Sequence, residues 1–319
     1  MEEDSQSKLK YFPVMMFAIT MGFGGLTIDY KKAVEVLAFP PVLYQILSMV
    51  VATLACVIFG FYLLKLLKYP RVVLGEFSHP VKLNFFATIS MSILLFSSIF
   101  HEITNVSFAL FTIGAIFQIF IAFYAITYWL NRDIEFSHSN PAWFVPVVGN
   151  LLVPTTGADF VSHPILMFFF SLGIFFWIVL TAVLFNRIIF HGMLAQKFLP
   201  TLAIFIAPPA IAMTSYLRIN GDDFDYIAEF LLNVAIIFAI ILFALARNFY
   251  KIKFFISWWA FTFPFAALTL ALLVAYEKTQ FTPYYFLSFF SLVLTSCIIA
   301  FVGIKTIQVI MRDELCKEE

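Results

Sequence analysis

The sequence predicts an all-α integral membrane protein, with ten transmembrane helices that form five helical hairpins around a central pore. Composition is the first observation: 62% of the 319 residues are hydrophobic and 12% are charged, and the mean hydropathy is +0.97. A soluble domain, with a polar surface around its core, has a much more polar composition. The second observation is a series of apolar runs long enough to cross a bilayer, and the third is the placement of prolines along them.

Ten apolar segments follow one another, and short connections join them. Segments one to ten cover residues 11–28, 42–64, 83–101, 106–130, 142–158, 164–186, 198–217, 226–249, 254–276 and 283–304. We therefore predict one ten-helix domain at 11–311, between an N-terminal tail at 1–10 and a C-terminal tail at 312–319. The start, MEEDSQSKLK, is acidic and polar, and the apolar run after it lacks a small-residue cleavage site. Segment one is therefore interpreted as a retained helix rather than a signal peptide.

The distribution of basic residues predicts the orientation. With segments that alternate in direction, 15 of the 19 Lys and Arg residues lie on the side of the N-terminus. The four on the other side are Lys31, Lys32, Arg218 and Lys278. Because cytoplasmic loops carry the excess of positive charge, both termini are expected in the cytoplasm, at the cell inner (plasma) membrane. Cys316, in the C-terminal tail, is then accessible from the cytoplasm.

Prolines separate the segments into two kinds, because proline removes a backbone donor and disrupts a helix interior. Segments one, five, seven and nine contain Pro13, Pro146, Pro154, Pro208, Pro209 and Pro264, whereas the even-numbered segments contain none in their interiors. Segment three has only Pro80 ahead of it. The pattern predicts hairpins that each pair a kinked inner helix with a straight outer one, although prolines are also common in membrane helices generally.

Irregular backbone at membrane depth needs protein or water around it, which favours the odd-numbered segments as the walls of a central pathway. The candidate pore-lining residues are Gly22, Gly25, Ser90, Pro146, Gly149, Pro208, Pro209, Thr262, Pro264 and Ala267. Segment three also offers a series of hydroxyl groups, on Thr88, Ser90, Ser92, Ser97 and Ser98. Such hydroxyls either replace part of an ion's hydration shell or form hydrogen bonds between helices.

Chemical motifs and titratable groups are scarce. Titratable residues lie near segment ends, as Glu229, His101, Asp159 and Lys305 do. A proton relay or cation site normally needs buried carboxylates or histidines, so we expect transport without a proton gradient, unless Glu229 or His101 relays protons. No nucleotide-binding, hydrolase or paired Cys/His motif occurs. The sequence therefore predicts no enzyme activity, no cofactor and no metal site, and a net charge of zero gives no indication of nucleic-acid binding.

A pathway without fixed charge suits an anion, provided that kinked helices turn freed backbone N–H groups and helix N-termini toward it. The attraction is then weak. Weak binding lets an ion leave as quickly as it enters, which is what a channel requires.

Segment nine contains WWAFTFPFAAL, in which a proline interrupts a cluster of aromatic residues. Phe263 directly precedes Pro264, and Ala266, Ala267 and Leu270 share its helical face. Small side chains leave room for a pore beside a large ring, which could close that pore by bulk and dewetting. The spacing makes Phe263 a candidate gate, although a phenylalanine in a membrane helix usually faces lipid or packs between helices.

Five stretches carry a resemblance to a known family: YFPVMMFAITMGFGGL, FSHPVKLNFFA, NPAWFVPVVGNLLVPTTGAD, LPTLAIFIAPPAIAMTSYLRING and WWAFTFPFAAL. They resemble the tellurite-resistance/C4-dicarboxylate transporter family, which includes bacterial relatives of the plant slow-type anion channels in the voltage-dependent anion channel superfamily. The resemblance implies a homotrimer of ten-helix protomers, each with a pore lined by its odd-numbered helices. It also implies an aromatic plug at the position of Phe263. Family substrates include chloride, nitrate, malate-type dicarboxylates and sulfite, and some members confer tellurite resistance.

We therefore predict a passive channel for small anions such as chloride or nitrate, in a lipid bilayer, with Phe263 as its gate. The alternative is a coupled secondary transporter or exporter of C4-dicarboxylates such as malate, or of sulfite.

Overall fold

The computed structural model describes residues 8–192, 194–250 and 252–312. Every regular element within these ranges is a helix. The predicted all-α fold is therefore confirmed for the described part of the chain. Cys316 lies outside the described residues.

Each even-numbered segment contains one long continuous α-helix, as predicted; in segment eight a break at Leu245 separates it from a short helix, Ala246–Phe249. The long helices run Pro41–Lys68, Thr104–Leu130, His163–Phe190, Tyr226–Ala244 and Thr282–Met311. Only 17% to 39% of the residues in their most apolar stretches are buried. Because these helices are apolar on nearly all faces yet largely uncovered by protein, they form an outer layer suited to contact with lipid.

The odd-numbered segments form the inner layer, and each is divided along its length. All except segment three combine 3₁₀ and α-helical pieces. Segment one has a 3₁₀ turn at Val14–Met16 before the α-helix Phe17–Leu37, and segment three has the helices Lys82–Phe85 and Ala87–Ile99. Segment five alternates the 3₁₀ turns Pro141–Trp143 and Gly149–Leu151 with the α-helices Phe144–Val148 and Leu152–Gly157. Segment seven passes from a 3₁₀ helix, Gln196–Ile206, to an α-helix, Ala207–Ile219. Segment nine passes likewise from Ile256–Phe261 to Thr262–Thr279.

Prolines explain where the α-helix begins in segments seven and nine. Pro208, Pro209 and Pro264 all lie in the first turn of their α-helices, where backbone N–H groups have no intrahelical partner and the missing donor is tolerated. Segment three changes at Phe86 without an interior proline; the Phe86 N–H donates to the Leu83 carbonyl at 3.1 Å, as in a 3₁₀ turn. The predicted division into interrupted inner and continuous outer helices is confirmed.

Each odd-numbered segment packs against the even-numbered segment that follows it, and this pairing forms the five predicted hairpins. The odd-numbered segments also contact one another in a closed ring, in the order one, three, five, seven, nine and back to one. A short helix, Pro70–Phe77, follows segment two. Its Glu76 pairs with the buried Lys65 at 2.8 Å, and Lys65 also donates to the Phe12 carbonyl at 2.7 Å. These contacts fix the start of segment one against segment two.

By length and hydropathy alone, eight helices of the described ranges can cross a membrane, so the expected count of ten is not exactly confirmed. Segment five is divided into short pieces, and the α-helix of segment one continues past residue 28 to Leu37, with charged residues in its second half. That extension places Asp29 in the middle of the helix. The expectation that titratable residues lie only near segment ends is therefore wrong at Asp29.

Candidate permeation pathway

A narrow apolar cavity lies among the starts of the five odd-numbered segments, on the side of the N-terminus; we call it the near cavity. Its volume is about 40 Å³, which is room for roughly three water molecules. Each odd-numbered segment contributes to its wall, as Met21, Met91, Val148, Ile204 and Ala260 do. Apolar walls offer an ion no replacement for its hydration shell, so the near cavity opposes the passage of ions.

A second cavity of about 40 Å³, which we call the far cavity, lies nearer the ends of the same five segments. Its lining is more polar and includes Asp29, Ser98, Thr155, Thr156 and Thr214. A vestibule of about 430 Å³ shares several of these residues. The far cavity and the vestibule are therefore contiguous on the side opposite the N-terminus.

Phe263 and Ile211 are the two side chains that line both the near and the far cavity. Phe263 is 4% exposed and lies in the first turn of its α-helix, beside the change from 3₁₀ to α geometry. Ala266, Ala267 and Leu270, which share its helical face, line the far cavity with it. The Phe263 ring thus stands between two small cavities on one axis, with small side chains next to it.

The other candidate pore-lining residues divide into two groups. Gly149, Pro208 and Pro264 line the near cavity, and Gly25 and Ala267 line the far cavity. Gly22, Ser90, Pro146, Pro209 and Thr262 line neither of these cavities.

Four of the residues outside the cavities lie at contacts between helices. A Cβ built on Gly22 would lie 2.8 Å from Cβ of Thr262, so segments one and nine are in close contact there. Gln118 of segment four accepts from the Ser90 hydroxyl at 2.6 Å and donates to the Pro146 carbonyl at 2.8 Å. Ser90 and Pro146 are therefore bridged by a buried amide.

The hydroxyl groups of segment three also fall into two groups: some form hydrogen bonds to neighbouring helices, and others line a cavity. Ser92 lies 2.8 Å from the Thr20 hydroxyl, and Ser97 donates to the Ser107 carbonyl at 2.9 Å. These contacts join segment three to segments one and four. Thr88 lines the near cavity, and Ser98 lines the far cavity and the vestibule. Thr88 and Ser98 are thus the hydroxyls of this series that face the pathway.

All four basic residues that the charge count assigned to the far side line the vestibule: Lys31, Lys32, Arg218 and Lys278. Four carboxylates line it too, on Glu35, Asp159, Asp222 and Glu277. The fixed charges of Lys, Arg, Asp and Glu in the vestibule therefore sum to zero, and it does not attract ions of one sign by net charge.

Polar contacts connect the five inner segments around the vestibule, and we call this arrangement the rim. Its members are Lys32–Glu277 at 2.8 Å, Lys278–Asp222 at 3.5 Å, Arg218–Asp159 at 2.8 Å, His101–Asp159 at 3.9 Å and Lys31 to the Ser98 carbonyl at 3.3 Å. In that order they join segment one to nine, nine to seven, seven to five, five to three, and three back to one. The rim is a closed ring.

Sequence reasoning missed Asp29 and Ile211. Asp29 lies four residues after Gly25, which places the two on one helical face, and that spacing is a signal the sequence does contain. Ile211 carries none, since isoleucine is frequent throughout the segments.

A sequence model of the voltage-dependent anion channel family matches residues 11–307. The chain belongs to that family. An uncharacterized transporter of Methanocaldococcus jannaschii is 27% identical, over 98% of this chain and 99% of the relative. The S-type anion channel SLAH3 of Arabidopsis thaliana is 27% identical over 82% of this chain and 42% of its own length. A tellurite resistance protein TehA homolog of Haemophilus influenzae is 24% identical, over 80% of this chain and 79% of that protein.

Membership of the anion channel family agrees with the architecture. The chain has a multi-pass helical membrane fold, its relatives are named as channels, transporters or resistance proteins, and its inner segments surround a narrow pathway. Anion transport is therefore established at the level of the family.

Proposed function

We propose that this protein is a passive channel for small anions such as chloride or nitrate, and that Phe263 is its gate. The observation that carries the proposal is the position of the Phe263 ring, which lines both the near and the far cavity. An anion moving along this axis must displace the ring. Neither cavity has room for an anion with a full hydration shell, so the described arrangement corresponds to a closed pore.

The proposed path runs from the near cavity past Phe263 into the far cavity and the vestibule. Gly25, Gly149, Pro208, Pro264 and Ala267 form part of its wall in this proposal. Ile211 narrows the pore together with the ring, since it lines the same two cavities. Gly22, Ser90, Pro146, Pro209 and Thr262 act instead by holding the inner helices in place.

We further propose that the protein works as a homotrimer in the cell inner (plasma) membrane, with the near cavity on the cytoplasmic side. The charge count supports the orientation, because 15 of 19 basic residues lie on the side of the N-terminus. Chemical cross-linking in native membranes tests the assembly: a ladder that ends at three protomers supports it, and a ladder that ends at two contradicts it.

One observation favours the alternative, a coupled carrier of C4-dicarboxylates or sulfite. Asp29 is a buried carboxyl on the pathway, and buried carboxyls are typical of proton-coupled transporters. Recordings from the purified protein in planar bilayers separate the two functions, with chloride, nitrate, malate and sulfite each supplied in turn. Currents that reverse at the Nernst potential of the anion support a channel. Uptake that follows a second ion gradient, without such currents, supports the carrier.

A further inference from the structure

Asp29 is a buried carboxyl group without a partner. It lies on the α-helix of segment one and is 1% exposed. Neither of its carboxyl oxygens has a hydrogen-bond partner among the described residues. A buried ionised carboxylate normally has a cation or several donors around it, because the loss of hydration is otherwise severe. Asp29 is therefore not explained as part of a structural ion pair.

In the far cavity, which Asp29 lines, two of the hydroxyl groups already donate their protons to backbone carbonyls. Thr156 donates its hydroxyl proton to the Leu152 carbonyl at 2.9 Å, and Thr214 donates to the Ile211 carbonyl at 3.0 Å. Hydroxyls engaged in this way present lone pairs to the cavity rather than protons. An anion there needs donors. A protonated Asp29 has one O–H to offer, whereas an ionised Asp29 offers only negative charge.

Asp29 is the only titratable group that lines the far cavity, and no titratable group lines the near cavity, among the described residues. Asp29 lies on segment one, and segments two, three, nine and ten pack against segment one. Segment two brings Tyr44 to the far end, where its hydroxyl donates to the Ile99 carbonyl, and segment ten brings Tyr284 and Tyr285. None of these groups is bonded to Asp29.

The charged groups of the vestibule are engaged with one another. Lys32 bonds Glu35 and Glu277, Arg218 bonds Asp159, and Lys278 lies 3.5 Å from Asp222. Lys31 donates to the Ser98 carbonyl, and His101 at the end of segment three lies 3.9 Å from Asp159. The cations nearest along the pathway therefore already have partners other than Asp29.

We propose that Asp29 is a proton-binding residue and that an anion enters the far cavity only while Asp29 holds its proton. The proposal rests on the anion-channel function proposed above. With the proton bound, the carboxyl O–H donates to the anion beside Phe263. With the proton lost, the carboxylate repels the anion. The proton exchanges with the vestibule and is not carried across, since the near cavity has no group to receive it.

The test compares anion flux into proteoliposomes at equal pH on both sides, from mildly alkaline to mildly acidic. The parent protein is expected to gain flux several-fold as pH falls. Asp29→Asn carries an amide that always donates and never ionises, so its flux is expected to stay at or above the acid level of the parent at every pH. His101→Gln removes the imidazole that lines the vestibule, and it is expected to retain the pH dependence of the parent.

Three results overturn the proposal: a conducting parent whose flux does not change with pH, an Asp29→Asn protein that keeps the pH dependence of the parent, or loss of that dependence in His101→Gln. If Asp29→Asn does not fold, Asp29→Ser in the Phe263→Ala background gives the same comparison with the gate removed. A parent and a Phe263→Ala protein that both conduct no anion at any pH contradict the channel function itself, which separates that failure from a failure of the Asp29 proposal.

Discussion

The ring of Phe263 lies against the backbone of Gly25: a Cβ built on Gly25 would lie 3.4 Å from Cδ2 of the ring. The same Cβ would lie 2.8 Å from Cβ of Ala266, one turn along segment nine. Glycine therefore allows segment one to approach segment nine where Phe263 crosses the pathway. The ring therefore packs against the Gly25 backbone and also lines both cavities.

This position leads to a prediction for Phe263→Ala. Removal of the ring joins the near and far cavities, so anion conductance is expected to rise by at least an order of magnitude while the protein still folds. Phe261→Ala is the matched control, because Phe261 packs on Phe249 and Trp258 and lines neither cavity. If Phe263→Ala and the parent conduct equally, at equal amounts in the bilayer, Phe263 is not the gate.

A second prediction concerns Gly22→Ala. The new Cβ would lie 2.8 Å from Cβ of Thr262 and would also crowd Oγ1, which is held by its hydrogen bond to the Trp259 carbonyl. Overpacking of this kind costs roughly 1–3 kcal/mol, so the variant is expected to melt at a lower temperature in detergent. Gly60→Ala is the control, since nothing lies within 4 Å of its Cβ. Identical melting of the two variants would show that segments one and nine are not in tight contact.

A third prediction is that anion flux does not require a proton gradient. Asp29 offers a proton site on one side of Phe263, but among the described residues the lining of the near cavity offers none on the other. Flux into proteoliposomes at clamped voltage is expected to persist in the presence of a protonophore. A pH gradient is expected to leave the reversal potential unchanged. Loss of flux with the protonophore would favour the coupled carrier.

A fourth prediction tests the orientation through Cys316. Cys56 and Cys297 are exposed on segments two and ten, so both are first replaced by serine, which leaves Cys316 as the single thiol. A membrane-impermeant thiol reagent is expected to label it in inside-out vesicles and not in intact cells. Labelling in intact cells would show that the C-terminal tail lies outside the cell and that the assigned orientation is wrong.

Proline placement made much of the fold predictable. Pro208, Pro209 and Pro264 mark the starts of α-helices because a missing N–H group is tolerated in the first turn. The face shared by Phe263, Ala266 and Ala267 follows from helical periodicity alone, and these residues line one cavity together.

Other features depend on how helices are rotated and paired, which one sequence does not reveal. Ser90 and Ser98 belong to the same segment, yet Ser90 contacts Gln118 and Ser98 lines the pathway. Asp29 was missed because the charges after residue 28 resemble a loop. In the structure these residues lie on the helix Phe17–Leu37, and Lys32 pairs across the rim with Glu277, a contact between residues far apart in the chain.

The rim has a consequence for the response of the protein to salt. Its pairs are partly exposed, with Arg218 and Asp159 at 36% and 53%, and such pairs are weak and screened by dissolved ions. At the opposite end, Lys65 and Glu76 are 0% and 10% exposed, out of reach of that screening. A rise in salinity on the vestibule side is therefore expected to loosen the five inner helices at one end only, while the other end stays held together.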